Sequence, residues 1–183
     1  MIPVFVARYP SSQVELFLSD MTMDLLSNRL DLAIHVGWLK DSSNQARRIR
    51  SFEQVLVCAE EFARKLPELK QPADLNLVPL VANMALSEPN IWTFSNAANQ
   101  HETIELTSVI AIDSVPAVLA AVKAGGGVSI LPDFLIANDI ACGRLRRLLP
   151  DWTQPTGGIH AVFSHTHYQP AIVRSFVDML IEC

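Results

Sequence analysis

Residues 14–18, Val14-Glu15-Leu16-Phe17-Leu18, read as a strand that exits at Ser19-Asp20. A short helical pattern follows, with Asp20 or Thr22 as its cap and Leu25 and Leu26 as its inward face. Leu32-Ala33-Ile34-His35-Val36 then runs almost unbroken in apolar residues to Gly37. Strand, helix and strand in this order make an α/β crossover unit. Such an apolar strand is covered on both faces, as in a parallel sheet, and its crossover is right-handed. A similar unit spans residues 108–131: a strand over 109–112, and a helix over 116–124 capped by Asp113 or Ser114. The triplet Gly125-Gly126-Gly127 then turns the chain into a strand over 128–131. Two such units, separated by a long stretch, predict two small α/β lobes with a small-molecule cleft between them.

A late strand over 159–163 and a final helix from Pro170 sharpen this reading. Ile172, Val173, Phe176, Val177 and Leu180 give that helix one apolar stripe. A strand and helix this late can only complete a sheet begun earlier. The predicted organisation is therefore a first lobe of residues 1–75 and 155–183, with a second lobe of residues 76–154 inserted in it. Between the two crossover units the spacing predicts a polar loop over 38–44, a strand over 55–59 and a helix over 60–66. It also predicts a helical turn at Pro72 and a hairpin from 91–94 to 104–106. A helix over 133–141 follows the second unit, and residues 3–9 read as the tail of a helix stopped by Pro10.

Half of the 183 residues are hydrophobic, so the chain can bury a core. Lys and Arg total 14 against 19 Asp and Glu, a formal charge of -5. The one dense basic cluster, Arg47-Arg48-Ile49-Arg50, reads as a solvated loop or as arginines paired with acids, not as a nucleic-acid footprint. Cys58, Cys142 and Cys183 are widely spaced and odd in number, with neither CxxC nor a zinc pattern. A reducing, cytoplasmic setting is the simplest expectation. No secretory pattern opens the chain, and the apolar run 78–86 is about half the ~20 residues of a spanning helix.

No motif here carries catalysis. The glycine triplet follows a helix, unlike the dinucleotide fingerprint, and reads as a helix cap with a close approach to the sheet. His165 and His167 form an HxH without a third ligand, so no metal is expected. Ser19, Ser87 and Ser114 lack a nucleophile-elbow context. Ser19 and Ser114 do share one feature: each stands just after a strand, at a helix start. Such positions present hydroxyls and N–H groups to a ligand, although simple capping explains them equally. His35, near a strand end, points either to the cleft or into a covering helix.

The run of motifs resembles the effector-binding domain of LysR-type transcriptional regulators. The matching pieces begin with Ala7-Arg8-Tyr9-Pro10, the 14–20 strand, Asp24-Leu25-Leu26, and Leu30-Asp31-Leu32-Ala33-Ile34-His35-Val36-Gly37. They continue through Asp41-Ser42-Ser43, Ala46-Arg47-Arg48-Ile49, Pro72-Ala73-Asp74-Leu75 and Trp92-Thr93-Phe94. Ala121 through Phe134, Gly143-Arg144-Leu145, Leu149-Pro150-Asp151-Trp152 and residues 159–180 complete the set. The resemblance implies a two-lobed, periplasmic-binding-protein-like α/β fold that holds a small polar or anionic effector, without a cofactor. It places effector contacts at Ser19 and Asp20, at Gly37 and Trp38, at Asn83 and Met84, and at Ser114 and Val115. It also implies a homodimer and DNA binding through an N-terminal winged helix, which is not in this sequence. The family's first strand, which lies between the 14–18 and 32–36 strands, is not in it either. A solute-binding protein would need an export signal, and an enzyme on the same scaffold would need a convergent acid/base pair.

Overall fold

The computed structural model describes residues 1–19, 30–39, 45–163 and 170–182. The helix expected over 23–28, Asp20, most of the 38–44 loop, His165, His167 and Cys183 lie outside these residues. The chain forms two compact units, residues 1–51 with 157–183, and residues 52–156.

The first unit contains α1 (Ile2–Arg8), β1 (Ala33–Gly37) and β2 (Gln45–Phe52). The second contains β3 (Gln54–Ala59), α2 (Glu60–Ala63), a 3-10 turn (Pro72–Leu77), β4 (Leu80–Asn83), β5 (Ile91–Asn96) and β6 (His101–Glu105). It continues with β7 (Ser108–Ile112), α3 (Val115–Lys123), β8 (Ser129–Pro132), α4 (Asp133–Ala141), β9 (Leu145–Arg147) and β10 (Trp152–Thr153). The chain then returns to the first unit as β11 (Gly157–Phe163) and α5 (Ala171–Ile181).

In the first unit β11 lies between β1 and β2. It runs antiparallel to β1, with Ala33 opposite Val162, His35 opposite His160 and Gly37 opposite Gly158. Side chains alternate between the two faces of a strand. Ala161 and Phe163 therefore share one face, where they meet Leu32, Ile49 and the Val173 and Val177 stripe of α5. Arg47 is on that same face, 2.5 Å from the Asp178 carboxylate of α5. Phe5 of α1 sits edge-on to Phe176 at 4.9 Å and is buried.

Two expectations fail here. Residues 14–18 do not form a strand, and Leu16, Phe17 and Leu18 are 63%, 60% and 86% exposed. β-rich composition is not sufficient, because a strand's N–H and C=O groups need a neighbouring ladder. Among the described residues β1 pairs only with β11, so it is a half-exposed antiparallel edge strand, not the doubly covered parallel strand its apolar run suggested. Conversely, the polar run Gln45-Ala46-Arg47-Arg48-Ile49-Arg50 is a strand and not a loop.

The second unit holds the larger core. β3 is entirely buried and pairs antiparallel with β8 on one side and β9 on the other. β4 and β7 run parallel, and β5 pairs with β6 as the expected hairpin, with β10 on its outer edge. Val55, Val57, Val81 and Leu131 pack against Val118 and Val122 of α3 and Ile136 of α4. The pairing of β3 also corrects the first boundary: residues 52–75 belong with the second unit, because β8 and β9 complete the ladder of β3. The inserted topology follows from β11, which joins β1 and β2 and not β7. The glycine triplet works as a cap and close approach. Gly125 and Gly127 have φ of +83° and +144°, and a Cβ on Gly127 would stand 2.3 Å from the Pro79 carbonyl oxygen.

Candidate functional site

Parallel pairing of β4 with β7 sets Asn83 opposite Ile112, and the Met84 N–H donates to the Ile112 carbonyl at 2.8 Å. The chain leaves these two strand ends at Asn83-Met84 and at Asp113-Ser114-Val115. Four of the sequence-expected residues, Asn83, Met84, Ser114 and Val115, are thereby brought together at the carboxyl ends of adjacent parallel strands. Ligands of open α/β sheets bind at such ends.

Each of these residues has a defined setting. Asn83 is buried, and its Oδ1 accepts the Ala85 N–H at 3.1 Å. Its Nδ2 makes no hydrogen bond among the described residues. Met84 is half-exposed, a flexible apolar surface beside the polar groups. Ser114 is the N-cap of α3 in extended conformation, and its carbonyl accepts the Val118 N–H at 2.9 Å. Its hydroxyl makes no capping bond, so the simple capping explanation does not hold for this serine. The N-terminus of α3 adds the positive end of the helix dipole.

The other expected residues belong to the first unit. Ser19 is exposed and precedes the residues outside the description, which include Asp20. Gly37 ends β1 with φ +130°, and Trp38 follows, half-exposed. The Trp38 carbonyl oxygen is 3.3 Å from His35 Nε2.

Sequence reasoning passed over one arrangement in the same unit. His160 stands directly across from His35, two residues along the ladder from the Gly37–Gly158 pair. A Cβ on Gly158 would come within 2.2 Å of His160 Cε1, so the imidazole lies over the glycine. His160 Nδ1 is buried without a hydrogen-bond partner. Burial pushes the His160 pKa below the ordinary 6.5, and the nearby Arg48 charge and His35 add to the shift. The available clue was the matching distance of each histidine from a glycine two residues away in the strand. It becomes informative only once the register is known.

The strand ends of the second unit present hydroxyl, carboxamide and backbone N–H groups, all of them hydrogen-bonding groups. Cys58 is an unreactive core residue, its thiol pushed up to about 11 by burial. Among the described residues no group of three His, Cys, Asp or Glu is placed to hold a metal ion. No helix among them is long and apolar enough to cross a membrane.

Comparison with known proteins gives a consistent result. Residues 1–182 match the LysR substrate binding domain family. The chain is 38% identical over 178 residues to the HTH-type transcriptional regulator PtxR of Pseudomonas aeruginosa, covering 97% of this chain and 57% of that protein. It is 26% identical over 179 residues to the regulator CrgA of Neisseria meningitidis, of which it covers 59%. The chain thus spans little more than half the length of these relatives. The solved CrgA regulatory domain superposes with a TM-score of 0.85 at 25% identity, covering 99% of this chain and 88% of that one. The regulatory domain of AphB from Vibrio vulnificus superposes with a TM-score of 0.79 at 28% identity, covering 99% and 89%. These domains are two-lobed α/β folds of the periplasmic-binding-protein type, as the resemblance implied. The chain belongs to the LysR substrate-binding-domain family.

Proposed function

We propose that this domain senses a small polar or anionic metabolite and that effector binding controls DNA binding by a winged-helix domain of the same regulator. Contacts come from Asn83, Met84, Ser114 and Val115 in the second unit. Ser19, Asp20, Gly37 and Trp38 contribute from the first, at the positions the family pattern gives them. The observation that carries this reading is the side-by-side placement of Asn83 and Ser114 at two parallel strand ends, where the serine hydroxyl is not spent on capping. A non-catalytic, cytoplasmic role accords with relatives that are transcriptional regulators. The regulator acts as a homodimer, the commonest closed assembly.

The coding sequence immediately upstream of Met1 tests the class. An in-frame winged helix-turn-helix is the expected result. An export signal there would instead favour a solute-binding protein.

A further inference from the structure

We propose that His35, His160 and Arg48 form an oxyanion-binding subsite on the sheet face of the first unit that is turned away from α5, taking a carboxylate or phosphate group. Three strands supply it. His35 on β1 and His160 on β11 are a directly opposed antiparallel pair and so project to the same face. Ala161 and Phe163 point to the α5 face, which puts His160 on the other. On β2, Arg47 and Ile49 also point toward α5, the one pairing with Asp178 and the other packing in the small core. Strand alternation therefore directs Arg48 and Arg50 to the histidine face. Arg48 is close enough to His160 for its charge to act on the imidazole.

The cluster is cationic without internal compensation. Arg47 has a carboxylate partner, whereas neither Arg48 nor Arg50 forms an ion pair among the described residues. Its floor is the Gly37–Gly158 pair, whose missing side chains leave room for the imidazoles. His160 Nδ1 is buried without a partner, which leaves Nε2 as the accessible polar atom of that ring. An arginine fork beside an imidazole N–H suits the several acceptor lone pairs of an oxyanion. The charged groups that act on His160 in this setting are His35 and Arg48, and both disfavour its protonation. A bound oxyanion opposes that effect. Anion binding therefore draws a proton onto His160 and strengthens as pH falls.

Identifying the oxyanion as part of the effector rests on the sensing function proposed above; the subsite itself does not. The test is a histidine-resolved NMR titration of the 183-residue chain with inorganic phosphate and with succinate, against sodium chloride at matched ionic strength. The expected result is a saturable shift of the His35 and His160 ring signals with at least one of the two anions, tighter at lower pH. The anion that produces it identifies the group as phosphate or carboxylate. Arg48→Gln, at an exposed position, weakens that binding about tenfold by removing a charged hydrogen-bond donor. Gly158→Ala weakens it by displacing the His160 ring while its ionisable group is kept. Ring signals that shift with neither anion, or an Arg48→Gln variant that titrates like the native chain, overturn the subsite. The titration uses phosphate and succinate and reads only the His35 and His160 rings, so its failure is distinct from failure of the effector contacts proposed at Asn83 and Ser114.

Discussion

Asp139 on α4 shows what a single charged side chain does when the fold commits it. It is 6% exposed, with Oδ1 2.9 Å from Lys123 Nζ and 2.5 Å from Arg144 Nε. Hydrogen bonds from Lys123 and then Arg144 hold its carboxyl below the usual carboxylate range. A carboxyl whose pKa is lowered by folding adds stability above its unfolded value and loses it as pH falls through the folded one. Asp139→Asn is therefore expected to unfold at lower urea at neutral pH and to show a flatter acid limb in stability against pH. Equal slopes for the two proteins would show that the ion pairs add nothing. Gly127 makes the complementary point for the backbone. With φ +144° and the Pro79 carbonyl oxygen 2.3 Å from any Cβ, Gly127→Ala has no relaxed position. It is expected to cost about 2 kcal/mol or more in urea unfolding, and an unchanged midpoint would contradict the close approach.

At the scale of elements, the second unit was the more legible in sequence. The hairpin, the α3 start at Ser114-Val115-Pro116 and the glycine turn into β8 were all readable. Each depends on local chemistry: alternation, a proline tolerated in the first helical turn, glycines at positive φ. The first unit was less legible because its sheet is joined across the sequence, β1 to β11, and no local pattern reports such a pairing. The apolar 14–18 run looked like a strand, whereas the polar β2 did not. Among the described residues Ile49 is the β2 side chain in the small core, and the arginines around it hide the alternation. Asn83 and Ser114 were placed as candidates by the family pattern, but their proximity needed the parallel β4–β7 pair. The exposure values make a direct prediction. Leu18→Ser, at a position 86% exposed, changes stability by less than about 0.5 kcal/mol. Leu131→Ala, at a position with no exposure, costs about 2–5 kcal/mol. A large loss from Leu18→Ser in chemical denaturation would mean that another surface covers it in solution.

At the scale of the whole molecule the proposed homodimer is open to direct test. Sedimentation equilibrium at micromolar concentration is expected to give twice the mass of the chain, and a purely monomeric species would count against self-association through this domain. The central claim is that polar groups at the strand ends of the second unit hold the effector. It is tested most directly by calorimetric titration with the metabolite that alters promoter occupancy by the regulator. That compound should bind the native chain and bind Ser114→Ala and Asn83→Ala each more weakly by about 1 kcal/mol, one hydrogen bond's worth. Ser114→Ala should keep the native unfolding midpoint when no ligand is present, whereas Asn83→Ala also loses the bond to the Ala85 N–H and should unfold somewhat earlier. Unchanged affinity in both variants would contradict the claim and make these residues structural features of the strand ends.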